Sequence, residues 1–350
     1  MSSEDSLYLV TGANGFIASA LTEALVERGE HVRATVRRAS AGSDVVASIG
    51  SDAKGTLEIA IVPDISAEGA FKRALQGVTH VFHMASPIPG AGKTDARADF
   101  LDPALAGTLS LLKDAKLTSS VRKVVLTSSV ASILSRGRDN TGGTFTEDDW
   151  NPVTYNQAVA LGELLHYAQP EHYMQVVMAI YAASKKVAEK ASWDFVKEHK
   201  PNYVLTAVHP ALVVGKTAFS QGLAGSNAMF WNVLNTRPLL PESTRASYVD
   251  LEDVVQGHIQ AMDRQEANGK RFLLVGGQPM NHELVNWAKQ HKQDLPFDRV
   301  EVPKDEQEAK ASIIRFDTTA SQKVLGLKYK NMQQTVTDFV DWASQTQPRL

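Results

Sequence analysis

The chain has no cysteine among its 350 residues. That excludes disulfides, thiolate zinc sites and cysteine nucleophiles together, and it fits a reducing compartment. No apolar run approaches the length of a membrane span. The opening residues, MSSEDSLYLV, hold no basic segment followed by an apolar one, so no secretory leader is expected and the chain is read as cytoplasmic. Neither sign of charge dominates: the formal net charge is −3, which gives no global attraction to nucleic acid or to an anionic membrane. There is no His-Glu-x-x-His spacing, so no metal is expected, and His80 and His83 of HVFH are read as core residues of a strand. These absences leave a small-molecule substrate as the expected partner of a monomeric or homodimeric chain.

What is present is alternation. LYLV, HVRATV, LEIAIV, HVFHMA and RKVVLTSS are short β-rich runs, and helical patterns are predicted at FIASALTEALVERG, at 66–76 and at 95–116. Strands alternating with helices in this way give parallel strands joined by right-handed crossovers, hence an α/β doubly wound sheet. The pattern loosens over 134–178, a connection long enough to be functional. It resumes with a helix at Tyr181–His199, a strand at Tyr203–Val208, a strand in RFLLVGG and helices near 281–292 and 332–345. The expected division is a dinucleotide-binding domain over 1–210 and a smaller C-terminal substrate lobe over 211–350, with some segments returning to the sheet.

The loop TGANGFIA follows the first strand and opens the first helix. Gly12 permits a tight turn, Gly15 lets the backbone approach a pyrophosphate, and Ala18 stands where helix packs on strand. The helix N-terminus adds N–H groups and partial positive charge. The candidate cofactor contacts here are Thr11, Gly12, Asn14, Gly15, Phe16 and Ile17. One further absence is informative. About twenty residues past such a loop, an NAD-binding chain carries an Asp or Glu for the ribose hydroxyls. This chain carries VRATVRR, with Arg33, Arg37 and Arg38 and no acid. A guanidinium matches the oxygens of a 2′-phosphate, which a carboxylate would repel. The stretch is built for NADP(H), with Arg37 first and Arg38 in reserve.

Tyr181 and Lys185 are four residues apart on a predicted helix and share a face. Ser129 and Thr127 lie at the end of the strand KVVLTSS, on the edge where doubly wound sheets bind ligands. Reducing a carbonyl with hydride requires a proton donor. Tyr181 could act so if the Lys185 cation lowered its pKa, while Ser129 bonded the carbonyl oxygen.

With these residues in view, the chain resembles the extended short-chain dehydrogenase/reductases, in the group of dihydroflavonol reductases and fungal aldehyde or ketone reductases. The likeness runs through TGANGFIA, VRATVR, PDISAEGAF, VFHMASP, KVVLTSS, EDDWN, YAASKKVAEKASW, HPALVVG and YVDLEDVVQGH. It implies a Rossmann-type sheet, with Ser129, Tyr181 and Lys185 catalytic and Arg37 on the 2′-phosphate. It further implies that Asp64 bonds the adenine with Ile65 beside it, that Met84, Ala85 and Ser86 line the cofactor, and that Pro210 and Val213 flank the nicotinamide. The gap from Ser129 to Tyr181 is longer than expected for sugar epimerases or plant flavonoid reductases, so the plant substrate does not transfer. The expected activity is NADPH-dependent reduction of an aldehyde or ketone. The alternatives are a nucleotide-sugar epimerase or dehydratase, disfavoured by the arginines, and a non-catalytic NADP sensor, disfavoured by the Tyr/Lys pair.

Overall fold

The computed structural model describes residues 6–86, 95–134, 143–166, 170–217, 223–241, 246–302, 304, 306–311 and 314–346. The chain begins with β1 (Leu7–Thr11), α1 (Phe16–Glu27), β2 (His31–Val36), α2 (Ala39–Ser48), β3 (Thr56–Ile61) and β4 (His80–His83). It continues with α3 (Asp102–Leu117), β5 (Lys123–Thr127), β6 (Thr144–Phe145), α4 (Tyr155–Glu163), α5 (Pro170–His199) and β7 (Val204–Pro210). Then come β8 (Leu212–Val214), α6 (Gly225–Asn235), β9 (Tyr248–Asp250), α7 (Leu251–Asp263) and β10 (Arg271–Leu274). The last elements are α8 (Asn281–His291), α9 (Glu306–Ala311), β11 (Arg315–Phe316), α10 (Thr319–Val324) and α11 (Met332–Thr346).

Seven strands form one sheet in the order β10-β7-β5-β4-β1-β2-β3, every neighbour parallel. The order reverses between β1 and β4, which opens the crevice at the carboxyl ends of the strands. Alternation along the strands divides the core. Tyr8, Val10, Phe82, Val125 and Val208 pack on one face with α1 and α7. Leu9, Val81, Val124, Leu126 and Leu205 pack on the other with residues of α3 and α5. Because both faces are covered, the strands read as apolar runs rather than as alternating ones.

Past β7 the chain builds a second cluster, in which Phe230, Tyr248, Leu284, Phe339 and Trp342 are packed together. Phe230 and Trp231 belong to it: Phe230 is fully buried and Trp231 packs edge-on against Phe297, whereas Met229 is exposed. β10 crosses back to become the last strand of the large sheet.

Three expectations shift. The predicted helix at 66–76 is a series of turns. Gly69 has a left-handed φ of 72°, and the Phe71 N–H is donated to the Asp114 side chain instead of a helical carbonyl. The segment at 95–116 is a π-turn, Arg97–Leu101, followed by α3. The helix expected from Tyr181 starts at Pro170, so part of the supposed connection is helical. Of the remainder, residues 143–166 hold β6 and α4, whose Thr154–Gln157 capping box fixes its start, while 135–142 and 167–169 lie outside the described residues.

Candidate active site

The site grows from the carboxyl ends of β1, β4, β5 and β7. After β1 the chain turns at Gly12, whose φ of 67° is left-handed. A Cβ there would also come within 3.1 Å of Ala85, and a Cβ at Gly15 would lie 3.1 Å from the Gly12 carbonyl. Gly12 is therefore required by the shape of the turn, and Gly15 leaves little room for a side chain. Helix α1 begins at Phe16 with no side-chain cap and no acid in its first turn. Its leading N–H groups thus lack the side-chain oxygen that usually takes them, as an anion-binding end requires. Asn14 is exposed, and Phe16 and Ile17 are half-buried against the core.

Thr11 is fully buried. Its hydroxyl oxygen accepts from the N–H groups of Met84 (2.9 Å) and Ala85 (3.0 Å) and lies 3.0 Å from His83 Nδ1. With two donors already on the oxygen, its single hydrogen goes to Nδ1, so the ring hydrogen of His83 sits on Nε2. Thr11 thereby fixes the path of Met84, Ala85 and Ser86 along the crevice. Its side chain points inward, so any contact it makes with a cofactor is by backbone. Burial, with the nearby Lys185 charge adding, pushes the pKa of His83 down to about 3.

The three arginines of VRATVRR separate. Arg33 donates to Glu58 (2.6 Å) and to the carbonyls of Ala74 (2.8 Å) and Gln76 (2.6 Å), tying β2 to β3 and the turns beyond. Arg37 and Arg38, past the strand end, are exposed. Arg37 is near enough to Asp64 to help depress its pKa, although the larger causes are hydrogen bonds from the Ser66 hydroxyl and N–H. Asp64 is exposed, and Ile65 beside it packs where a Cβ on Gly107 of α3 would collide with it, 2.8 Å away. An exposed guanidinium pair, a tight glycine turn and an uncapped helix end on one edge fit a dinucleotide bearing a 2′-phosphate.

Ser129 ends the β5 run as N-cap of a 3-10 turn, its hydroxyl oxygen accepting from Ala131 N–H at 3.2 Å. Tyr181 is hydrogen-bonded to Ser129. Lys185 Nζ lies 5.8 Å from the centre of the Tyr181 ring. The structure thus brings together the three residues singled out by spacing. The expected depression of the tyrosine's pKa is not found. Burial pushes Tyr181 up to about 12, with the Ser129 bond pulling the other way. Lys185, itself buried, is pushed down to about 8 against the opposing charge of Glu189. Removal from water dominates both groups, and the tyrosine stays protonated at neutral pH.

Thr127 is bonded to His258 Nε2 at 2.8 Å, Pro210 closes β7, and Val213 is buried in β8. Sequence reasoning passed over Glu189, Arg271 and the role of His83. Glu189 lies one helical turn beyond Lys185, as Lys185 does beyond Tyr181, and that repeat along one face was the available signal. Among the described residues no group of acids and histidines could hold a metal, and no helix is long and apolar enough to cross a membrane.

A doubly wound parallel sheet with a glycine turn at its switch point and a Ser, Tyr and Lys at the neighbouring strand end defines a dinucleotide-dependent oxidoreductase of Rossmann type. Comparison with known proteins agrees. The profile of the NAD dependent epimerase/dehydratase family matches residues 8–176. A ketoreductase of Aspergillus fumigatus is 30% identical over 340 residues, spanning 96% of each chain. Aldehyde reductase 2 of Sporidiobolus salmonicolor is 30% identical over 345 residues, again 96% of each. The crystal structure of Gre2 from Candida albicans in complex with NADPH superposes with a TM-score of 0.85 at 29% identity, covering 97% of this chain and 99% of that one. The chain belongs to the extended short-chain dehydrogenase/reductases, in the group of the fungal carbonyl reductases.

Proposed function

We propose that this protein is an NADPH-dependent carbonyl reductase that converts an aldehyde or ketone of small size to the alcohol. The observation that carries this reading is the meeting of Ser129, Tyr181 and Lys185 beside the glycine turn. The relatives named above, a ketoreductase and an aldehyde reductase, support it.

When bound, the nicotinamide supplies the hydride. The chain supplies the rest. Ser129 donates a hydrogen bond to the carbonyl oxygen as negative charge builds there. Tyr181, neutral at working pH, gives its proton to that oxygen. Lys185 then faces the phenolate and stabilises it while the proton is replaced. Arg37, with Arg38 in reserve, holds the 2′-phosphate, and Asp64 with Ile65 borders the adenine. Met84, Ala85, Ser86, Thr127, Pro210 and Val213 shape the channel between them.

The test is loss of NADPH and NADH absorbance with a panel of aldehydes and ketones. NADPH should be consumed in clear preference to NADH. Tyr181→Phe should lower kcat by about three orders of magnitude with NADPH affinity nearly intact. Arg37→Ala should weaken NADPH by about tenfold while sparing NADH. Cofactor binding without turnover on any carbonyl would point to a sensor, and interconversion of a nucleotide sugar without net NADPH loss would point to an epimerase.

A further inference from the structure

Glu189 is the most completely enclosed acid near the site, its side chain 1% exposed. Its Oε2 accepts from Ser128 Oγ (2.6 Å), Ser132 Oγ (2.9 Å) and His209 Nε2 (2.8 Å). Its Oε1 accepts from Arg271 Nε (2.7 Å) and Trp193 Nε1 (3.2 Å). Five donors converge on one carboxylate, and they come from β5 and its turn, β7, β10 and α5 itself.

Each donor belongs to a segment that carries part of the site. Ser128 precedes Ser129, and the Ser132 hydroxyl lies 2.8 Å from the Ser129 carbonyl as well. Lys185 is one turn back along α5, and Lys185, Glu189, Ser128, Thr127 and His83 line a common cavity of about 10 Å³. His209 precedes Pro210. Arg271 carries the network outward: its guanidinium donates to the carbonyls of Glu147 and Asp149 and stacks 3.7 Å from the centre of the Trp150 ring. The EDDWN segment, in the long connection between Ser129 and Tyr181, is therefore anchored on the same carboxylate. A merely structural ion pair could have been built from two of these partners. This one gathers four site-bearing segments and sits against the lysine of the proton donor.

We propose that Glu189 is a positioning residue of the reduction, holding the Ser129 turn, Lys185 and the 147–150 segment in mutual register from beneath. This rests on the reductase reading above. The groups facing Lys185 are Tyr181 and Glu189 on its own helix and His83 from β4. Those facing Glu189 are His209 from β7 and Arg271 from β10, with the Glu147 carboxylate near His209. The Glu189 charge favours the ammonium form of Lys185, so removing it lowers the pH at which Lys185 loses its proton.

The experiment is Glu189→Gln, assayed beside the unaltered enzyme with NADPH and its best carbonyl substrate from mildly acid to alkaline pH. At neutral pH kcat should fall about tenfold or more with NADPH affinity little changed. The alkaline decline of kcat, set by Lys185 near pH 8, should move about one unit toward acid, so that activity is partly regained on acidification. A pulse of acetic anhydride followed by mass spectrometry should show Lys185 acetylated at correspondingly lower pH, a readout independent of any substrate. An unshifted acetylation profile, or kcat and NADPH affinity falling together with an unmoved pH limb, overturns the proposal. An unaltered enzyme inert toward every carbonyl would instead overturn the reductase reading, and the acetylation profile would still decide the link from Glu189 to Lys185. Should Glu189→Gln fail to fold, Ser132→Ala removes one tie to the Ser129 turn and keeps the buried charge. It should lower kcat severalfold with NADPH affinity unchanged, and an unchanged kcat overturns the proposal.

Discussion

Two of this molecule's ionic clusters are built in opposite senses. Beneath the sheet's carboxyl edge a single acid, Glu189, is surrounded by donors. At the seam of α7 and α11 a single base, Lys330, is surrounded by acids: Asp250 at 3.3 Å, Glu252 at 2.9 Å and Asp338 at 3.1 Å. The difference that matters is water. Glu189 and His209 are buried and Arg271 is 11% exposed, whereas Lys330 is 22%, Asp338 45% and Glu252 77% exposed. Charges removed from water must be paired by the protein, while charges that keep water lose little when a partner goes. The first cluster is therefore rigid by necessity, and it is the one placed under the site.

The contrast is broken most directly at Arg271. Arg271→Met leaves Glu189 buried with its guanidinium partner gone and releases Trp150 and the Glu147 and Asp149 carbonyls. Stability in urea should fall by about 3–5 kcal/mol. A loss below about 1 kcal/mol would mean that water reaches Glu189 and that the cluster is no tighter than a surface pair. Lys330→Met is the matched change in the other cluster. Glu252 and Asp338 return to solvent, and Asp250 keeps its bonds from Glu252 N–H and Thr335. The expected loss is about 1–2 kcal/mol, measured the same way. Equal losses from the two variants would mean that the two clusters are equally shielded from water.

The two clusters also differ in how they could be read from sequence. The sheet was legible because its strands are apolar runs separated by helical periods, and the glycine turn because only a few residue types permit it. Tyr181, Lys185 and Ser129 were legible by spacing and strand position. Glu189 stands in YAASKKVAEKASW among other charged residues, and beyond its four-residue spacing from Lys185 nothing local marks it as buried. Its partners are 61, 57, 20 and 82 residues away along the chain, at Ser128, Ser132, His209 and Arg271. Arg33 was misleading for the same reason: its sequence neighbours are the candidate cofactor arginines, but its spatial neighbours are Glu58 and the carbonyls of Ala74 and Gln76. The turns at 66–76 read as helix because their apolar residues, Phe71 and Leu75, are spaced as in one; the left-handed Gly69 and the side chain of Asp114 decide otherwise.

The smallest expected effect is one of pH, and it separates the clusters by sign. Burial alone would raise the pKa of Glu189, but the charges and hydrogen bonds of His209 and Arg271 outweigh it and hold the carboxyl well below the ordinary range. Its contribution to stability is present above the ordinary carboxylate pKa and is lost only as pH falls toward the lower folded value. Asp253, which accepts the Lys330 N–H at 2.9 Å, behaves in reverse. Burial, reinforced by Asp250, pushes it up to about 6 from an ordinary 3.8. The protonated form suits the folded chain, so this group favours folding at acid pH and turns into a cost as pH rises toward 6. Asp253→Asn keeps an oxygen for the Lys330 N–H and removes the charge. Because the carboxyl retains access to water, the gain should be only about 1 kcal/mol at mildly alkaline pH, vanishing near pH 4. Urea titrations at the two pH values measure it. A gain of the same size at both would show that packing, not ionisation, sets the cost of this acid.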